Sequence, residues 1–106
     1  MGHEHEASFQ SPLDFPTLER LLTLLKRPSA WQLLGAEQEG QTHVLRYAYV
    51  PGVPPMWGED FLVYLSDQKL YVLLHTATGK QEQAVLGWLK DCLHTSGLFG
   101  LEFQEP

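Results

Sequence analysis

The strongest pattern in the chain covers residues 61–76, where two apolar runs flank the polar break from Ser66 to Gln68. Both runs, FLVYL and KLYVLLHT, are rich in β-branched and aromatic residues, and the break between them has turn chemistry. Neither run alternates cleanly between apolar and polar positions, which is typical of strands covered at least partly on both faces. The pattern therefore predicts a β-hairpin in the middle of a sheet.

Two other segments repeat their apolar residues with the period of an α-helix. In residues 11–27, leucines recur three and four positions apart behind the N-cap candidate Asp14, and Pro28 ends the pattern. In residues 79–96, Thr78 and Gln81 have the spacing of a capping box at the start of the helix. The predicted apolar face of this second helix consists of Ala84, Val85, Trp88, Leu89, Cys92 and Leu93.

The region between the first helix and the central hairpin has a weaker pattern. We interpret residues 31–37 and 42–50 as a second hairpin, because the intervening polar segment is a good turn and THVLRYAYV is strongly β in composition. Ser29 and Gln32 also have the spacing of a capping box, so a short helix is the alternative for the first of these runs. The tail alternates Leu101 and Phe103 with polar residues, which is compatible with a C-terminal edge strand.

These elements predict the order α-β-β-β-β-α, with an optional final strand. Consecutive hairpins indicate an antiparallel β-meander of four or five strands, and the two amphipathic helices are expected to pack on one face of it. The predicted fold class is α+β, a two-layer sandwich. Residues 1–10 are polar and are interpreted as a disordered, dispensable leader, and residues 11–106 as a single α+β domain.

Composition narrows the classes of partner and compartment. Thirteen acidic and seven basic residues give a formal net charge of −6, and the basic residues are scattered apart from Lys26 and Arg27. Nucleic acid and anionic membrane surfaces are therefore not expected as partners, since both need clustered cations. No apolar run approaches the ~18–20 residues of a membrane span, and the N-terminus lacks the apolar core of a signal peptide. Together with the single cysteine, Cys92, this predicts a soluble cytoplasmic protein.

The most unusual stretch is the acidic-ended loop from Pro51 to Asp60, PGVPPMWGED. Its three prolines and two glycines prevent regular structure and stiffen the backbone, yet it carries large apolar side chains. Methionine and tryptophan are enriched at the centres of protein interfaces, and a stiff loop loses little entropy on binding. The predicted partner-binding residues are Val53, Met56, Trp57, Glu59 and Asp60. The alternative is a loop that folds back and covers one end of the sheet.

Other chemistry has weaker support in the sequence. His3 and His5 alternate with glutamates and are weak candidates for metal ligands, but no metal site or cofactor is predicted from them. The segment from Thr78 to Lys80 lacks the spacing of a phosphate-binding loop. Cys92 and His94 diverge on a helix, so they do not form a local nucleophile–base pair. Enzymatic function therefore has no positive signal, although distant residues can still assemble a site.

We predict a small, non-catalytic protein-binding domain, of an adaptor, chaperone-like or immunity-like kind, that acts through loop 51–60 or an exposed sheet edge. Its element order and acidity are similar to those of small secretion-chaperone-like and toxin-immunity proteins, a likeness that no motif carries. The alternative is a ligand-binding domain or small enzyme with a pocket between sheet and helices. Candidate polar residues for that pocket are Tyr47, Tyr49, Tyr64, Tyr71, His43 and His75. A homodimer that buries surplus apolar surface is a third hypothesis.

Overall fold

The structure is a computed structural model that describes residues 3–106. Its elements in chain order are β1 (His3–Ser8), α1 (Phe15–Leu25), β2 (Gln32–Glu39), β3 (Thr42–Ala48), β4 (Phe61–Leu65), β5 (Lys69–Leu74) and α2 (Gly79–Thr95). The strands form one sheet in the order β1-β5-β4-β3-β2, and every neighbouring pair is antiparallel. The predicted α+β class is confirmed.

Both helices pack on the same face of the sheet. That face presents an unbroken layer of fully buried side chains from the three central strands: Leu45, Tyr47, Phe61, Val63, Leu65, Leu70, Val72 and Leu74. The helices close the layer from above with Leu21, Leu22, Leu25, Val85, Leu89, Cys92 and Leu93. Burial of this contiguous apolar cluster supplies the main driving force for folding.

The helix starts follow the signals in the sequence. Asp14 Oδ1 accepts a hydrogen bond of 2.9 Å from the Thr17 N–H, and Pro16 lies in the first turn of α1, where no amide donor is needed. At α2, the Thr78 side chain accepts from Gln81 N at 3.1 Å and the Gln81 side chain accepts from Thr78 N at 3.0 Å. This is the reciprocal capping box expected from the spacing.

The apolar face predicted for α2 is confirmed in most positions. Val85, Leu89 and Cys92 are buried, whereas Trp88 is only partly buried at the margin of the core. Ala84 is exposed and lies outside the buried face. The second hairpin is also confirmed, as β2 and β3, and the helical alternative for the first of its runs is wrong.

The N-terminal segment differs from the expected disordered leader. Met1 and Gly2 lie outside the described residues, but His3–Ser8 form the edge strand β1, which pairs with β5. Ala7 is buried against the sheet, and His5 is only 8% exposed. The strand forms because β5 offers it a free row of backbone donors and acceptors, which a polar sequence can use as well as an apolar one.

The C-terminal tail adds a single bridge and no strand of its own. Glu6 N donates to Gln104 O at 2.8 Å, and Gln104 N donates to Glu6 O at 2.9 Å. The tail thus covers part of the outer edge of β1. No helix within residues 3–106 is both long and apolar enough to cross a membrane.

Candidate functional site

Loop 51–60 connects β3 to β4 and exposes the apolar side chains that the sequence singled out. Met56 is 90% exposed, Trp57 62% and Val53 55%. A loop that closed one end of the sheet would bury these side chains. The exposure therefore agrees with the interpretation that they are presented to solvent.

The backbone of the loop is held at several points despite its lack of regular structure. Gly52 N donates to the side-chain carbonyl of Gln32 at 2.9 Å, and Val53 N donates to Val50 O at 3.1 Å. At the other end, Asp60 N donates to Tyr47 O at 2.8 Å. These bonds, together with the fixed φ angles of the prolines, restrict the loop to few conformations before any partner arrives.

Asp60 acts inside the protein and is not free on the rim of the loop. Its Oδ2 accepts a hydrogen bond of 2.7 Å from Tyr49 N, and its backbone carbonyl accepts from His75 N at 3.0 Å. The carboxylate thus satisfies a backbone donor just beyond the end of β3. Its role is to fix the junction between the loop and the sheet.

Glu59 is also committed to a partner within the chain. Its Oε2 lies 3.0 Å from His75 Nε2, and both side chains are largely shielded from solvent. The Trp57 ring lies next to the same imidazole, with 6.3 Å between ring centroids and 36° between ring planes. His75 therefore contacts both Glu59 and Trp57, which the sequence alone did not indicate. The acidic end of the loop is in this way turned inward.

The face of the sheet turned away from the helices forms a second candidate surface. We name it the open face and define it by Val44, Arg46, Leu62, Tyr64, Tyr71 and Leu73. Both helices of the described chain pack on the opposite side, so neither covers it. The sequence predicted strands covered at least partly on both faces, whereas the helices of the described chain cover only one face of the sheet.

The apolar character of the open face is unusual. The solvent-facing side of an antiparallel sheet is ordinarily polar. Here Leu62 and Val44 are buried at its centre, and Tyr64, Tyr71 and Leu73 are half-buried. The Tyr64 and Tyr71 rings meet edge to face, with centroids 5.6 Å apart. The signal was present in the sequence as apolar residues at both alternating positions of β4 and β5.

Charged side chains border the open face on two sides. On the β1 side, Lys69 Nζ lies 3.0 Å from Glu6 Oε2, and Tyr71 donates its hydroxyl to Glu4. On the β2 side, Arg46 Nη2 lies 3.3 Å from Glu37 Oε1. The face is thus an apolar strip between an acidic margin and a margin that carries a guanidinium.

The residues proposed for a ligand pocket do not converge. Tyr47 and Tyr49 point to the helix side of the sheet, whereas Tyr64 and Tyr71 lie on the open face. The Tyr47 hydroxyl donates to Leu25 O at 2.6 Å inside the core, and the Tyr49 hydroxyl donates to Thr76 O at 2.9 Å. Their polar atoms are thus used to hold the fold together.

Burial also changes the acid–base chemistry of the side chains around the core. It raises the pKa of Tyr49 to about 12, with smaller contributions from Asp60 and Glu82. It raises the pKa of the Cys92 thiol to about 11, with a smaller contribution from Asp91. A thiol with such a pKa holds almost no thiolate at neutral pH, so Cys92 is a poor nucleophile.

The two weak metal candidates meet a carboxylate of α2. His5 Nε2 lies 2.6 Å from Glu82 Oε1, and His3 Nδ1 lies 3.5 Å from Glu82 Oε2. No group of three or more His, Cys, Asp or Glu residues within 3–106 has an arrangement that could hold a metal ion. The two contacts with Glu82 join β1 to α2.

Open surface grooves lie on both sides of α1 and beside β1, and His43 lines two of those beside α1. One, of about 450 Å³, is open to solvent and lies between the β1–α1 connection and the segment after α2. Its lining includes Phe9, Leu13, Asp14, Thr17, Leu98 and Phe99. None of the residues proposed for a ligand site from the sequence lies in it.

Comparison with family models, with curated proteins and with solved structures gave no match for this chain.

Proposed function

We propose that this protein is a non-catalytic protein-binding domain that acts through loop 51–60. The observation that carries the proposal is the exposure of Met56 and Trp57, 90% and 62%, on a loop whose two ends are fastened to the sheet. Leaving two large apolar side chains in water costs free energy that burial in a core would recover. Their position is explained if a partner covers them.

The shape of the site favours a protein over a small molecule as the ligand. Small-molecule sites are concave and surround most of their ligand. Met56 and Trp57 instead project from the loop, as an anchor that enters a pocket on another protein does. Tryptophan in particular is over-represented among the residues that dominate the energy of protein interfaces.

Glu59 and Asp60 contribute to this function as positioning residues. By binding His75 and Tyr49 N, they hold the end of the loop that carries the Trp57 ring. A pre-positioned anchor loses less conformational entropy on binding than a mobile one. We expect replacement of Glu59 by glutamine to weaken partner binding less than removal of the indole, because it loosens the loop without removing the anchor.

A sheet edge is the second candidate surface for the same function. The outer edge of β1 is partly occupied by Gln104, whereas the outer edge of β2 pairs with no strand of the described chain. Strand addition at β2 would use backbone hydrogen bonds. It would not depend on Trp57, which separates the two candidates experimentally.

The test compares two exposed aromatic residues at different places on the surface. Trp57→Ala and Phe99→Ala each remove an exposed ring, since Phe99 is 71% exposed in the segment after α2. The immobilised full-length chain and both variants are used to capture partners from the native host, and captured proteins are quantified by mass spectrometry. A partner retained by the wild type and Phe99→Ala but lost by Trp57→Ala supports the proposal.

The affinity of the purified partner then gives the decisive measurement. We expect Trp57→Ala to raise the Kd by about 30-fold, the equivalent of roughly 2 kcal/mol for an interface anchor. Phe99→Ala should leave the Kd within about twofold of the wild-type value. Equal binding by wild type and Trp57→Ala would exclude loop 51–60 as the anchor and favour the β2 edge.

A further inference from the structure

We propose that the open face is the interface of a homodimer, in which a second copy of the chain packs sheet against sheet. Each subunit would keep its helices on the outside, so that the dimer has four layers in the order helix, sheet, sheet, helix. The inference does not depend on loop 51–60, and it goes beyond the binding of a different protein. It rests on the placement of apolar and charged residues across the five strands.

The register of the sheet arranges the outward side chains in two rows that run across the strands. The first row, from β1 to β2, is Glu4, Leu73, Leu62, Arg46 and Gly35. The second row is Glu6, Tyr71, Tyr64, Val44 and Glu37. Since β4 is the central strand, each row has apolar or aromatic residues in the middle and charges towards its ends.

The first row has opposite charges at its two ends. Glu4 lies on β1 and is exposed. Arg46 lies on β3, but its guanidinium covers the backbone of Gly35 on β2, where a Cβ atom would overlap Nη2. The positive charge therefore lies near the β2 edge, four strand positions away from Glu4, which is roughly 19 Å at the usual spacing between strands.

A two-fold axis parallel to the strands and passing over β4 makes this row complementary to itself. Such an axis places β1 opposite the partner's β2, β5 opposite the partner's β3, and β4 opposite its own copy. Glu4 then faces the guanidinium of the partner's Arg46, and Leu62 faces the partner's Leu62. The same ion pair forms twice, once at each margin, as an isologous interface requires.

The alternative two-fold axis, perpendicular to the strands, is disfavoured by electrostatics. It would place β1 opposite the partner's β1, so that the Glu4 and Glu6 carboxylates of one chain meet those of the other. If that axis passed over the first row, it would also place the two Arg46 side chains opposite each other. Like charges held across an interface cost free energy, so we infer the axis that runs along the strands.

The second row is compatible with the same axis although it brings Glu6 opposite the partner's Glu37. Each of these carboxylates already has a cation in its own chain, Lys69 at 3.0 Å and Arg46 at 3.3 Å. Positive and negative groups therefore alternate at each margin. The formal net charge of −6 per chain is not concentrated at this interface.

The size of the face predicts a weak dimer. Five strands about 4.8 Å apart and about five residues long give a projected area of roughly 400 Å² per subunit. The accessible area of a surface is larger than its projected area. The area buried by both subunits together therefore comes near the lower limit for specific interfaces, which is about 1,000 Å². We therefore expect a Kd in the micromolar range, with sheets aligned to within about 30°.

The test is the molar mass of the full-length chain by light scattering, over a concentration series from about 1 to 100 µM. The expected result is a rise from 12.1 kDa towards twice that value. Tyr64 lies on the central strand and faces its own copy across the axis, so Tyr64→Glu places two carboxylates opposite each other and should hold the mass at the monomer value. Ala84→Glu, the same charge at an exposed position of α2, is the matched control and should dimerise like the wild type.

Charge reversal identifies the contact between subunits independently of Tyr64. Glu4→Arg and Arg46→Glu should each raise the Kd at least tenfold, and the double variant should recover most of the wild-type affinity. Within one chain the two residues are too far apart to touch, so recovery requires contact between copies. Circular dichroism confirms that each variant is folded. If Tyr64→Glu does not fold, Glu4→Arg, which changes an exposed residue of the edge strand, provides the test.

Two results would overturn the proposal. One is a monomeric wild type at every concentration, which would leave the open face to a different partner or to solvent. The other is a dimer whose Kd is unchanged by Tyr64→Glu and by Glu4→Arg, which would place the interface elsewhere. Neither result bears on loop 51–60, because its test measures binding of another protein and depends on Trp57.

Discussion

The guanidinium of Arg46 occupies the space above Gly35 that a side chain on β2 would otherwise fill. The two residues are cross-strand partners next to an irregularity in the β2–β3 register, between Leu33 and Gly35. From this position Arg46 also reaches Glu37. A glycine on one strand thus determines where the neighbouring strand places its positive charge.

We expect Gly35→Ala to have little effect on the fold. The three atoms nearest to a Cβ at position 35 belong to the flexible end of Arg46, which can move aside, so the free energy of unfolding should change by less than about 0.5 kcal/mol. Gly40, in the turn between β2 and β3, is the control, because its φ of +62° is unfavourable for a residue with a side chain. Gly40→Ala should cost about 1–2 kcal/mol. Urea denaturation measures both, and equal losses would contradict this account.

Two tryptophans should differ sharply in their contribution to stability. Trp88 on α2 packs edge to face against Tyr47 and Trp31, with centroid distances of 5.6 and 6.2 Å. Trp88→Ala should lower the free energy of unfolding by about 3 kcal/mol, at the low end for tryptophan because the ring is only partly buried. Trp57→Ala, on the exposed loop, should lower it by less than about 1 kcal/mol. Similar losses in denaturant melts would mean that loop 51–60 is part of the core.

The elements that the sequence predicted correctly are those with strong local signals. The β4–β5 hairpin has two β-rich runs beside a short turn, and α2 has a capping box and an apolar stripe. The strand β1 has no such local signal. Its sequence, HEHEAS, is polar, and its pairing partner β5 lies more than sixty residues away in the chain. Pairing over such a distance depends on which edge the folded sheet leaves free, and no local pattern records that.

The candidate site was predictable to a similar extent. Loop composition alone indicated that Met56 and Trp57 are presented to solvent, and their exposure agrees. The inward roles of Glu59 and Asp60 were not predictable, since they depend on His75 and Tyr49, which only the folded sheet brings close. The open face was missed because apolar residues on both sides of a strand predict coverage on both sides, and the described chain has helices for only one.

The attachment of β1 should depend on His5 much more than on His3. His5 is largely buried and lies 2.6 Å from Glu82, so His5→Ala removes the closer partner of a shielded carboxylate and should cost about 1–3 kcal/mol. His3 is exposed, with 3.5 Å to the same carboxylate, and His3→Ala should cost less than about 0.5 kcal/mol. Thermal melts of the two variants provide the comparison. If His3→Ala lowered the stability as much as His5→Ala, His5 would not be the main attachment of β1 to α2.

The buried phenols should make the fold sensitive to alkaline pH. The pKa of Tyr49 is raised from its ordinary value of 10.0 to about 12, first by burial and then by the nearby Asp60 and Glu82. Between these two values the unfolded chain has released the phenolic proton and the folded chain retains it. The unfolded state then binds fewer protons, so the free energy of unfolding falls as the pH rises through this window and is unaffected well below it.

Tyr49→Phe tests this linkage through the slope of stability against pH. The variant loses the hydrogen bond to Thr76 and should be less stable at neutral pH, but at about pH 11 its stability should fall less steeply with pH than that of the wild type. Tyr71→Phe should act in the same direction, because burial and its hydrogen bond to Glu4 raise the pKa of Tyr71 to about 12. Urea denaturation at a series of pH values, with phenolate absorbance followed in parallel, gives both slopes. If Tyr49→Phe lowered stability equally at all pH values and left the slope unchanged, the Tyr49 phenol would not be the group that titrates, and the alkaline sensitivity would belong to other groups in the core.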